Sequence, residues 1–121
     1  MRPQLPRTVF ALLLGISLAM FLSPGEDVPK NAPNDKLVHM LIFVTLAVAG
    51  RWARVPWVAL GVGLAAYAAV TEILQAVLPI NRDGNVLDFL ADAVGIGIGL
   101  LLSLTATRLG ARARPPRSRS L

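Results

Sequence analysis

Residues 86–104 read VLDFLADAVGIGIGLLLSL, an apolar run broken only by Asp88 and Asp92 near its start. Asp88, Asp92, Gly95 and Gly99 are spaced i, i+4, i+7 and i+11, so on a helix two carboxylates continue into a glycine stripe. Small residues at this spacing let membrane helices approach closely, where no hydrophobic drive between helices operates. Gly95 and Gly99 are therefore expected to be buried against a neighbouring helix, with Asp88 and Asp92 pointing into the bundle.

Working outward, three further hydrophobic segments lie near Val9–Leu22, Leu37–Ala49 and Val55–Leu78. The 121 residues are 55% hydrophobic and 16% charged, with mean hydropathy +0.61, which is unusual for a soluble domain. The chain has room for one domain. The expectation is an all-α, four-helix transmembrane bundle of antiparallel up-down topology, with spans at about 8–23, 36–50, 55–78 and 86–106. Residues 1–109 form this membrane domain, and 110–121, rich in Arg, Pro and Ser without an apolar period, read as a disordered basic tail. There is no cysteine, so disulfides and thiolate metal sites are excluded. The pI near 11.1 does not indicate nucleic acid as a partner, because the basic residues flank apolar spans instead of covering a polar face.

Those basic residues orient the bundle. Arg2, Arg7, Arg51, Arg54, Arg108, Arg112, Arg114, Arg117 and Arg119 fall on one side, nine of the twelve, against Lys30, Lys36 and Arg82 on the other. The positive-inside rule then puts both termini and the Arg51–Pro56 turn in the cytoplasm of a multi-pass plasma-membrane protein. The tail arginines are placed to hold anionic lipid headgroups. Arg2 and Arg7 before a short apolar run also resemble a signal peptide. The small-residue pair of a cleavage site is missing around Leu18–Leu22, so an uncleaved anchor is expected. Gly50 reads as the close of the second span, Pro56 as the first turn of the third, and Pro79 as its end.

In this arrangement Asp35, Lys36, His39, Glu72, Gln75, Arg82, Asp88 and Asp92 all fall at one, extracytoplasmic, membrane face. A charged group within a span costs roughly 2.5–3.5 kcal/mol on insertion scales, which makes each a functional candidate. Asp35, His39 and Phe43 share a helix face at i, i+4, i+8, and Glu72 and Gln75 lie together at i, i+3. Each has an ordinary alternative. Asp35 and Asp88 suit a helix N-terminus, Lys36 can snorkel, His39 and Gln75 can be bundle hydrogen-bonders, and Arg82 can pair with Asp83 or Glu72. Glu72 and Asp92 are the hardest to account for without function.

At these positions the chain resembles the VanZ-like family. Asp35-Lys36 with His39 and Phe43, then Glu72 with Gln75, Pro79 and Arg82, then Asp88 with Gly95, follow its pattern DK..H...F, E..Q...P..R, D...N..G. The resemblance covers about Asp35 to Gly99. Asp92 departs from it, standing where the family more often has Asn, and adds negative charge. The resemblance implies a small polytopic membrane protein of the cell envelope, the family's founding member being associated with low-level teicoplanin resistance. It implies no established chemical mechanism.

Three classes of function follow. In the first, His39, Glu72, Asp88 and Asp92 are catalytic candidates for acid–base work on a lipid or lipid-linked wall precursor, with Lys36, Gln75 and Arg82 as substrate-binding candidates. In the second, the protein is a non-catalytic accessory or binding protein, so whether it is an enzyme stays open. The third, a small transporter or proton relay, is disfavoured because the inner half of the spans holds no ionisable residues. With Asp35, Glu72, Asp88 and Asp92 against Lys36 and Arg82, the cluster carries two net negative charges when His39 is neutral. Raised carboxyl pKa values or a bound cation would relieve that excess. No spacing matches an established zinc signature, so no cofactor is expected, a divalent metal being the minority alternative. Membrane lipids are the expected partners. The sequence leaves the oligomeric state open.

Overall fold

A computed structural model describes residues 4–23, 35–80 and 86–113 of the chain. Among these, every regular element is helical: α1 (Gln4–Phe21), α2 (Asp35–Trp52), α3 (Trp57–Val77) and α4 (Val86–Ala113). Three of them, α1, α3 and α4, are long and apolar enough to cross a membrane. α2 falls short of that standard, since its 18 residues include Asp35, Lys36 and Arg51. The Gly110–Leu121 segment was expected to lack structure; α4 runs four residues into it, to Ala113, and the rest lies outside the described residues.

Local chemistry explains most boundaries. α1 begins at Gln4, ahead of the expected start, with Pro6 in its first turn, where a missing N–H costs no hydrogen bond. α3 follows Pro56 and ends at Val77. Leu78 then turns extended (φ −78°, ψ 144°), as the residue before Pro79 must. The end of α2 corrects the sequence reading. Gly50 does not close this helix. It is buried within it, and a Cβ there would run into the Leu60 side chain and sit 3.2 Å from Phe10. The chain turns instead at Arg54, whose φ of 64° is left-handed. That connection is tied by Arg51, which donates to the Val55 carbonyl (2.6 Å) and stacks 3.9 Å above the Trp57 ring.

α2 is the central element, and its interface with α4 is the most extensive in the molecule. A Cβ on Gly95 would collide with the Met40 carbonyl, and one on Gly99 would come within 2.6 Å of Ala47 Cβ and 2.7 Å of the Val44 oxygen. The glycine stripe is thus seated on the α2 backbone, as its spacing implied, and both glycines are buried. Phe43, Leu46, Ala47, Leu60, Leu64, Ala68 and Ile96 fill the centre. By contrast Val58, Val62, Val70, Ile73 and Val77 form an outward apolar row on α3.

Candidate functional site

The polar residues singled out in the sequence gather where the first turns of α2 and α4 meet the last turns of α3. His39, Glu72, Gln75, Asp88 and Asp92 are all buried, with His39 2%, Glu72 8% and Asp92 0% exposed. In α2 and α4 these positions lie near the N-terminal, positive ends of the helix dipoles, which favours carboxylates there, above all Asp88 in the first turn of α4.

Two tiers can be distinguished. In the outer one, Lys36 Nζ lies 3.7 Å from Asp88 Oδ1, with the lysine half exposed and the carboxylate covered. One helical turn deeper, His39 Nδ1 is 2.7 Å from Asp92 Oδ1 and 3.7 Å from Glu72 Oε1. With the Asp92 carboxylate ionised, Nδ1 carries the hydrogen and donates it. Donor atoms of His39, Glu72 and Asp92, one from each of three helices, all lie within 4.8 Å of one another.

An aromatic and amide shell encloses the deeper tier. The Phe21 ring packs 4.8 Å from the His39 imidazole and 5.8 Å from Phe43. Gln75 Nε2 donates to the Phe21 carbonyl (2.8 Å), satisfying a backbone oxygen at the end of α1. Gln75 therefore positions α1 against the site, and its amide nitrogen is engaged in doing so. Beneath the site, Tyr67 Oη and Ser17 Oγ share a hydrogen bond (2.6 Å) between α3 and α1, and Tyr67 Oη is also within 3.3 Å of the Leu14 carbonyl.

The structure therefore brings His39, Glu72 and Asp92 into direct proximity, sets Lys36 and Asp88 above them, and gives Gln75 a backbone partner. Arg82 lies outside the described residues. Phe21, Ser17 and Tyr67 were not singled out in the sequence. Their signal was available for two of them: Ser17 is a lone hydroxyl inside an apolar span, and Tyr67 stands one turn before Thr71 and two before Gln75 on one α3 face. Phe21 gives no such signal, because an aromatic at the end of a span is ordinary.

Comparison with protein-family models, curated proteins and solved structures found no match to this chain.

Proposed function

We propose that this is a VanZ-like integral membrane protein of the plasma membrane that acts on the cell envelope through the His39–Glu72–Asp92 site. In this reading the four helices are four spans of an up-down bundle with both termini cytoplasmic and the polar tiers toward the outer leaflet. The basic asymmetry of the sequence supports that orientation. The order of contacts supports the up-down path. Lys36–Asp88, His39–Asp92, Met40–Gly95 and Val44–Gly99 advance together along α2 and α4, as alternate helices of such a bundle do. α2 serves as a span because it is packed along α4 and carries its charged residues at its two ends.

The observation that carries the functional reading is the 2.7 Å His39–Asp92 contact, with Glu72 on the same side of the ring. A carboxylate holding Nδ1 fixes the imidazole tautomer and orientation, the arrangement that acid–base catalysts use. Glu72 adds a second proton acceptor within reach. Lys36, with Arg82 as a further candidate, supplies the cation that an anionic headgroup requires. The substrate class this fits is a lipid or lipid-linked wall precursor with a phosphate-bearing headgroup. Altered teicoplanin susceptibility is the phenotype the resemblance implies.

Glu72→Gln tests this directly, because Gln keeps the shape and removes the proton-accepting charge. The expected outcome is normal abundance in the membrane together with an envelope-lipid and precursor profile equal to that of cells without the gene. A wild-type profile at wild-type abundance would remove Glu72 from the site. The near-complete burial of His39 and Asp92 favours one second reading, a non-catalytic accessory protein whose polar network sets the packing of the bundle. Under that reading Glu72→Gln lowers the amount of folded protein and changes the envelope only in proportion.

A further inference from the structure

We infer that His39, Glu72 and Asp92 form a binding site for a divalent transition-metal ion. The inference rests on the reading of these three residues as the working site, and with the ion bound coordination replaces the His39–Asp92 hydrogen bond.

The donor set is chemically complete for such an ion. It offers one imidazole nitrogen and two carboxylates, the ligand types found at three-ligand catalytic zinc sites, which keep a further position open. Two ligand atoms each about 2.1 Å from a tetrahedral ion stand about 3.4 Å apart. His39 Nδ1 lies 2.7 Å from Asp92 and 3.7 Å from Glu72, on either side of that separation. The whole set lies within 4.8 Å, so side-chain adjustments of about 1 Å bring the donors to ligand spacing.

Independent support comes from charge and surroundings. The two carboxylates and a neutral imidazole carry two negative charges, which a divalent ion cancels in full. The three donors are buried at the meeting of three helices, where residual charge is most expensive. Phe21 packs against His39, backed by Phe43, apolar cover of the kind that holds water away from metal ligands. Metal entry displaces the Nδ1 hydrogen, so binding releases protons and strengthens as the pH rises.

The test is metal analysis of the full chain purified in detergent, without chelator, from cells grown with zinc and manganese. The expected result is close to one equivalent of divalent metal per chain, falling at least tenfold in Asp92→Asn and in Glu72→Gln. Tyr67→Phe, which removes a neighbouring hydroxyl outside the donor set, should retain the wild-type content. Added cobalt should give visible d–d absorption with wild-type protein and none with the two site variants. Because a variant that unfolds would also lose metal, each is first matched to wild type in helicity and in elution as a single species. Should a site variant fail that match, His39→Gln takes its place. Metal content at background in wild-type protein, with no cobalt spectrum and no thermal shift on adding zinc, would overturn the inference. So would equal metal content in wild type and site variants. Metal content is read without reference to lipids. A bound metal with unchanged envelope lipids would sink the proposed function and leave the metal site standing, whereas changed lipids without metal would do the reverse.

Discussion

The α2–α4 interface has two halves that are held differently. Near the start of both helices Lys36, His39, Asp88 and Asp92 meet through charge and one short hydrogen bond. One to two turns further on, Met40, Val44 and Ala47 meet Gly95 and Gly99 by backbone contact, with no polar side chain involved. The second half is the close contact over small residues by which helices in a membrane associate without charged groups. The first half then lacks a packing rationale: buried ion pairs are often matched or bettered in stability by apolar residues of similar volume. A cluster that packing does not require is better explained by chemistry.

Changing the packed half should have the largest effect. Gly95→Leu drives a side chain into the Met40 main chain, which cannot move aside as a flexible side chain would. Overpacking relieved by side-chain shifts costs about 1–3 kcal/mol, and a backbone clash costs more. The expected outcome is loss of the folded, detergent-soluble species on size-exclusion chromatography. Normal folding of this variant would mean that the two helices do not depend on the stripe.

A smaller but clear effect is expected at Phe43, which is fully buried against Phe21 and Tyr67. Phe43→Ala should lower stability by about 3–5 kcal/mol through the cavity it leaves, measured by unfolding in mixed micelles. Its profile should be the inverse of Glu72→Gln, with stability lost and envelope effect scaling only with abundance. If the two variants behave alike, the division between a packing half and a chemical half fails.

The smallest change is expected at Ser17. Its hydroxyl bonds Tyr67 beneath the site, and interhelical hydrogen bonds of this type average about 0.6 kcal/mol in membranes. Ser17→Ala should therefore shift the unfolding midpoint only slightly, and leave envelope lipids unchanged. A changed envelope-lipid profile at wild-type stability would make this pair part of the chemical half.

Particular residues show how much was legible beforehand. The glycine stripe was legible because helical spacing alone puts Gly95 and Gly99 on the face of Asp88 and Asp92. Its partner, the Met40–Ala47 stretch of α2, was not, since spacing on one helix does not say which neighbour it meets. The clustering of His39 with Glu72 and Asp92 could be anticipated at the level of depth in the bundle. The 2.7 Å contact could not, because it joins residues 53 positions apart. Gly50 was misread as a helix end because glycine serves two purposes that sequence does not separate, freedom at a turn and room for a neighbour. Here Leu60 needs the room, and Arg54 takes the left-handed turn. Phe21 could not be assigned to the site, since its ring matters only through the helix packed beside it.

The sequence by itself determined the helices and their faces: four apolar runs, three of them long and apolar enough to cross a membrane, prolines that place their ends, and a 3.6-residue period that sorts carboxylates and glycines together. These are local properties, decided by each segment's own backbone and side chains. Only the tertiary structure decided which faces touch: α2 at the centre, the glycines on its backbone, Phe21 over His39, and three donors from three helices in one place. Those pairings depend on how surfaces from distant segments fit each other, and no segment carries that information alone.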